Sequence, residues 1–315
     1  MFISIIIPCY NSGETIDRCL ESVAKQKYDD YEVITIVDKK SSDNTLQICR
    51  AWKKSFKNKL KIVEVEHCGV ARKRNYASKI AKGDVLLFLD SDAEMEDENY
   101  LKLLAYLFTA TNADVITGVP VTPRKASLIE WVLSQEYEQR FIDIGENYID
   151  CAATTCMAVK KKVLEKVRFD ESISTKQALG EDFAFSFNLI KKGYKIFHTN
   201  ELKVYHYFYS NFKKYLIEQM RHAEYRVMLA RKHGKVTDKY TNPIPRLQAF
   251  LWLLLPLSSF DNRLLFINLL ALLFWQLPTT IKIFFRTKKV KSFLLLPVSA
   301  VRSLFWLIGA VNGII

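Results

Sequence analysis

The chain predicts an α/β fold with a parallel sheet covered by helices on both faces, followed by a separate helical region that associates with a membrane. Three observations predict it. Four apolar, β-branched runs alternate with segments of helical period and short connections over the first 90 residues. Three of those runs end on Asn11, Asp38 and Asp90, polar side chains at the edge where such sheets bind ligands. Finally, residues 1 to 200 balance 29 Lys+Arg against 29 Asp+Glu, whereas residues 201 to 315 carry 17 against 5 together with the longest apolar stretches.

The elements follow in order. ISIIIPCYN (3–11) reads as a strand ended by Pro8, with Asn11, Ser12 and Gly13 as turn residues. Ser12 or Gly13 is expected to cap a helix through about Lys27, since Ile16, Leu20, Val23 and Ala24 recur at helical spacing. YEVITIVD (31–38) is a second strand ending on an acid, and Asp43 opens a helix through about Phe56. KIVEVEH (61–67) is a third strand, Ala71–Ala81 a third helix and DVLLFLD (84–90) a fourth strand. Residues 113–122 and 151–159 predict further strands, and 126–143, 160–167 and 181–192 helices, the last with Glu181 and Asp182 in its first turn. KIFHTN and KVYHYF, the latter ending at Phe208, predict two short strands before a basic helix over 210–233. Pro243 and Pro245 mark a boundary, which divides the chain into a domain over 1–210, a basic helix and linker over 211–246 and hydrophobic helices over 247–315.

The apolar segments are 247–260, 264–285 and 292–315. As helices they would measure about 21, 33 and 36 Å, so only the last two reach across a hydrocarbon core of about 30 Å. Pro256 interrupts the first, and Lys282 and Arg302 favour the alternative of core helices in a soluble domain. Basic residues interleaved with apolar runs fit anionic lipid rather than nucleic acid, and the loop RTKKVK (286–291) places that junction on the cytoplasmic side of the cell membrane. The six cysteines form no CxxC pair and read as reduced thiols; the N-terminus shows no signal-peptide pattern.

The chemistry is concentrated in LLFLDSDAEME (86–96). Two carboxylates, Asp90 and Asp92, leave a buried strand one residue apart and would repel each other unless a cation offset them. Mg2+ or Mn2+ held by one or two carboxylates keeps open positions for phosphate oxygens, which points to a nucleotide diphosphate. Neither GxxxxGK[ST] nor GxGxxG occurs. Glu94, Glu96 and Asp97 read as solvated acids leading into the next helix.

Together, ISIIIPCYNSGETIDRCLESV, ITIVDKKSSDNT, GVARKRNYA, KGDVLLFLDSDAEM and GEDFAFSFNLIKKGYKI resemble the family 2 glycosyltransferases, whose nucleotide-sugar domain has the GT-A fold. The likeness covers about the first 210 residues and extends to dolichol-phosphate-sugar synthase-like and cell-envelope enzymes. It implies a metal-dependent inverting transferase acting on a nucleotide-diphosphate sugar, to which the basic, apolar C-terminal region adds the cytoplasmic membrane face and a lipid-linked or glycan acceptor. By the same resemblance, Pro8, Tyr10 and Asn11 line the nucleotide pocket and Asp38 accepts from the base or ribose. Arg74 and Asn75 support the base and the acidic loop, and Asp90 faces the ribose and diphosphate with Ser91 beside it. Asp92 is the principal metal ligand, His206 completes the metal shell, and Gln219 and Arg221 approach the pyrophosphate. Asp182 of the GED segment is the catalytic base. One departure affects the nucleoside contact: Lys39 and Lys40 follow Asp38 where the family commonly has an acid and a glycine. Two alternatives stay open on sequence alone, a membrane-anchored nucleotide-sugar-binding or scaffold protein without turnover, and a sugar nucleotidyltransferase. The second should carry a basic, glycine-rich phosphate loop that PCYNSGET lacks. Oligomeric state has no signature in the sequence.

Overall fold

The computed structural model describes residues 1–172, 180–207, 211–233 and 244–314, and the side chains among them except those of 229, 232, 233 and 244–247. The chain divides into two compact units, Met1–Arg124 with Ile144–Tyr207, and Lys125–Asp143 with Phe208–Ile315.

The first unit opens as the sequence predicts: β1 (Ile3–Cys9), α1 (Ile16–Ala24), β2 (Tyr31–Asp38), α2 (Thr45–Trp52), β3 (Leu60–Val65), α3 (Val70–Ile80) and β4 (Val85–Leu89). These four strands pair in parallel in the order β3-β2-β1-β4. Ile3, Ile5, Ile6, Ile7 and Leu86 to Leu89 are fully enclosed, as expected of strands covered on both faces. Two helix starts differ from expectation. Ser12 begins α1 through its carbonyl, which accepts from Ile16 N, while its hydroxyl accepts from Tyr10 N. Asp43 sits before α2 rather than in it, its carboxylate accepting from Thr45 N and Gly13 N.

The remainder of the sheet departs from the parallel prediction. β5 (Ala93–Met95), α4 (Tyr100–Ala110) and β6 (Val115–Val121) come next; α5 (Leu128–Ile144) belongs largely to the second unit. Then follow β7 (Asn147–Ile149), β8 (Cys156–Lys160), α6 (Lys161–Leu164), α7 (Glu181–Lys191) and β9 (Ile196–His206). The sheet continues β4-β8-β6-β9-β5, with β8 antiparallel to both β4 and β6, β9 parallel to β6, and β5 and β7 antiparallel to β9. The two short strands expected over 195–208 are thus one strand, because Glu146 accepts from Thr199 Oγ1 and Asn200 N and holds the apparent turn extended. Phe208 lies outside the described residues. Residues 151–155 are not strand: Ala152 N and O bond the Ser186 hydroxyl instead. The pairing of β6 with β9 shifts register between Thr117 and Val119. At Gly118 a Cβ would lie 2.0 Å from Leu202 O, so only glycine admits this approach.

The second unit is helical: α5, α8 (Phe212–His233), α9 (Ile244–Ser258), α10 (Asn262–Phe274), α11 (Leu277–Thr287), a 3-10 turn (Val290–Leu294) and α12 (Leu295–Asn312). Asn262–Thr287 and Val290–Asn312 are long and apolar enough to cross a membrane, with mean hydropathies of 1.8 and 1.9; Gln248–Ser258 is shorter. The single helix expected over 264–285 is two, interrupted at Trp275–Gln276 with Pro278 in the first turn of α11. All six cysteines are free thiols, and all but Cys68 are buried.

Candidate active site

The site forms where β1, β2 and β4 release the chain. Pro8 is buried inside β1, and the loop beyond it leads to the site. Asn11 adopts a left-handed φ of 48°, which asparagine tolerates better than most residues, and its side-chain Oδ1 accepts from Ser42 N at 2.8 Å. The loops after β1 and β2 are thereby cross-linked. Ser12 and Ser91 join the first loop to the acidic one through a 2.8 Å hydroxyl contact. Tyr10 is half exposed, its ring 5.3 Å from that of His67 and 5.4 Å from the Lys73 ammonium.

Asp38 ends β2 with its carboxylate enclosed by donors: Lys73 Nζ at 2.9 Å, His67 Nδ1 at 3.0 Å and Lys40 N at 3.0 Å. Burial would raise its pKa, but these donors outweigh burial and hold the carboxyl below its ordinary range. The lysine pair of the sequence therefore separates: Lys40 supports Asp38 through its backbone, while Lys39 turns outward to Glu66.

Asp90 and Asp92 follow β4, and the register that pairs Ala93 with His206 brings β9 beside them. One ligand atom from each of Asp90, Asp92 and His206 lies within 4.8 Å of the others. His206 Nε2 stands 3.4 Å from Asp92 Oδ1. Burial raises the pKa of Asp90 despite Arg74; at Asp92 burial is outweighed by the imidazole, which holds the carboxyl below its ordinary value. Two carboxylates and one imidazole are a donor set that suits Mn2+, and Mg2+ less closely. The three residues fit a divalent cation. Glu96 is exposed, as expected of a solvated acid, whereas Glu94 is half-buried; the two also accept from Tyr205 OH at 3.1 Å and Tyr207 OH at 2.7 Å, on either side of His206.

Arg74 joins this loop to the start of α7. Its guanidinium, 3% exposed, donates Nη2 to Asp90 at 2.9 Å and Nη1 to Glu181 at 2.7 Å. Next to Glu181, burial and then the neighbouring carboxylate push Asp182 up to about 7. Asn75, one residue on, is engaged elsewhere: its amide donates to Phe169 O and Glu171 and its carbonyl accepts from Phe169 N. It braces the 169–171 loop. Gln219 and Arg221 lie on α8 in the second unit, where Gln219 accepts from Trp306 Nε1 at 3.0 Å.

Sequence reasoning passed over Lys73, His67, Glu181 and Ser12. Lys73, Glu181 and Ser12 carried a faint signal, each adjoining a singled-out residue; His67 carried none.

A model of Glycosyl transferase family 2 matches residues 4–168, just over half of the 315 residues. The chain belongs to that family. Among curated relatives, a poly(ribitol-phosphate) beta-glucosyltransferase of Bacillus spizizenii is 42% identical over 120 residues, covering 37% of this chain and 18% of its own. A dolichyl N-acetyl-alpha-D-glucosaminyl phosphate 3-beta-D-2,3-diacetamido-2,3-dideoxy-beta-D-glucuronosyltransferase of Methanococcus voltae is 25% identical over 311 residues, 91% of this chain and 89% of that protein. The chain spans between 18% and 59% of the first three curated relatives it matches. Among solved structures, the mannosyltransferase PcManGT of Pyrobaculum calidifontis, in complex with GDP-Man and Mn2+, aligns with a TM-score of 0.62 at 18% identity, over 99% of this chain and 86% of that one. The glycosyltransferase family fold is therefore the mixed α/β GT-A sheet, here followed by apolar C-terminal helices.

Proposed function

We propose that this family 2 glycosyltransferase moves a sugar from a nucleotide-diphosphate donor to a lipid-linked or cell-envelope acceptor, with inversion, at the cytoplasmic face of a membrane. The observation that carries this reading is the convergence of Asp90, Asp92 and His206 with Asp182, joined through the buried Arg74 and Glu181. The relatives' names support the acceptor class: one acts on poly(ribitol-phosphate) and the other on a dolichyl-linked sugar phosphate. The neighbour solved with Mn2+ supports the cation.

Asp90, Asp92 and His206 would hold Mg2+ or Mn2+, whose charge offsets that of the departing diphosphate. Asp182, pushed up to about 7, takes the proton of the acceptor hydroxyl near neutral pH. The freed oxygen bonds the anomeric carbon from the face opposite the diphosphate, and the breaking C–O bond leaves its electron pair on the phosphate oxygen. No carboxylate nucleophile is needed. Tyr10 offers an exposed ring face to the base, and Arg74 keeps Asp90 oriented while balancing Glu181.

Transfer of radiolabelled sugar from a panel of nucleotide diphosphate donors, with Mn2+ and a membrane extract as acceptor, tests this. Asp182→Asn is expected to lose about 10²- to 10⁴-fold in rate, the range a positioned general base supplies. Full transfer by that variant would refute the assignment. A donor-binding protein without turnover is the second reading, and calorimetric binding with Mn2+ in the absence of any transfer or donor hydrolysis would favour it.

A further inference from the structure

Both apolar segments long enough to cross a bilayer are tied, within the helical unit, to helices too polar to enter one. Along α12, Arg302 forms a buried pair with Glu136 of α5 and donates to Tyr215 of α8. One turn on, Trp306 Nε1 donates to Gln219. Beyond that, a Cβ at Gly309 would lie 1.9 Å from Met220 O, and one at Gly313 2.5 Å from Glu224 O. Arg231 closes the series by donating to the carbonyls of Gly313 and Ile314. α12 thus lies against α8 over four turns, and α8 carries Lys213, Lys214, Glu218, Arg221, His222, Glu224, Arg226 and Arg231. A helix so rich in ionisable side chains is costly to place in hydrocarbon, and so is the partner packed along it.

The other segment fails for a different reason. It is broken at Trp275–Gln276, and its second half, α11, is pinned to polar α5 by Lys282–Asp143 and Arg286–Glu138. α10 alone keeps 13 residues, about 20 Å of helix against the roughly 30 Å required. α9 and α10 close on each other through Gln248 Nε2 to Leu272 O and Asn268 Nδ2 to Leu251 O and Ser258 Oγ, so their polar groups face inward. Their outer face is apolar: Phe250, Leu253, Leu257, Phe266 and Ile267 are more than half exposed, and Phe260 at the tip is 90% exposed. The tip then continues into Asp261 and Arg263, charged residues that belong in water or head groups.

We infer that the helical unit is monotopic: the α9–α10 hairpin lies in a single leaflet of an anionic bilayer, and no segment among the described residues crosses it. The loop after α11 supplies the matching charge. Val290 is exposed between Lys289 and Lys291, and the exposed Phe285 and Phe293 flank them, an arrangement that inserts apolar side chains among acyl chains while the exposed Lys288 and Lys289 meet anionic head groups. This placement deepens the membrane location proposed above, and it can fail while the transferase reading stands.

The test uses the full chain with Cys68→Ala and one new cysteine, Asp261→Cys at the hairpin tip or Lys288→Cys in the basic loop. The protein is added to preformed phosphatidylcholine vesicles containing 30% phosphatidylglycerol, some loaded with a membrane-impermeant maleimide. Flotation with the anionic vesicles, at least tenfold weaker with phosphatidylcholine alone, is expected, with both cysteines labelled from outside and neither from the lumen. Inverted membrane vesicles from the expressing cell should give the same one-sided pattern. Labelling of residue 261 or 288 from the far side in either preparation would overturn the inference and leave the catalytic assignment intact. Absence of flotation would overturn both the inference and the membrane location.

Discussion

Replacing Arg74 with alanine is the most informative single perturbation. Its guanidinium is almost entirely enclosed and divides its donors between Asp90, whose side chain is 27% exposed, and Glu181, whose side chain is 5% exposed. Removing one member of a buried ion pair costs about 3–5 kcal/mol, because the partner's charge remains without its counter-charge. Most of that loss arises at Glu181, since Asp90 retains partial access to water. For a chain of this size the loss corresponds to a fall of roughly 6–20 °C in melting temperature. The loss also depends on pH. Burial already raises the Asp90 carboxyl and Arg74 opposes that rise, so without Arg74 folded Asp90 binds its proton still more readily than the unfolded residue, and the variant's stability rises as the pH falls from 7 towards the unfolded carboxylate range near 4. Thermal unfolding in mild detergent at pH 7.5 and 5.0 measures both effects. Arg74→Ala with Glu181→Gln should recover part of the loss, because the stranded charge is gone. A single variant melting within about 2 °C of the parent at pH 7.5, against the range expected, would refute the bridging role.

Three further outcomes follow. Transfer should rise with pH through about 7 and level off above it, as Asp182 loses its proton, and the residual rate of Asp182→Asn should lack that step. Mn2+ should raise the melting temperature of the parent protein and leave that of Asp92→Ala unchanged, since a ligand bound only by the native state stabilises it. Arg302→Met should cost about 3–5 kcal/mol by isolating Glu136, and adding Glu136→Leu should restore most of it, both read by unfolding in detergent.

The parallel half of the sheet was legible because its strands are continuous β-branched runs with turn residues between them. The antiparallel half was less so. Residues 93–95 contain a glutamate, and nothing local shows that Tyr207 would bond the acid on that strand. Likewise Thr199-Asn200 has turn chemistry, and Glu146, some 53 residues earlier in the chain, holds it from outside the segment. At the site, Asp90, Asp92, His206 and Asp182 stood out through motif and resemblance. What neutralises Asp38 did not, because Lys73 and His67 approach from different elements. Asn75 and Pro8 show what motif position leaves out: the Asn75 amide is bonded to Phe169 and Glu171, and Pro8 is buried within its strand.

The contact at Gly118 makes β9 a gauge as well as a support. Successive side chains on a strand point to opposite faces, so moving β9 by one residue would replace His206 at the acidic loop with Tyr205 or Tyr207. Any side chain at position 118 must push on Leu202, four residues before that histidine. Cation affinity should therefore report on sheet alignment, and engineered insertions within residues 199–203 should abolish it while leaving every ligand in the sequence.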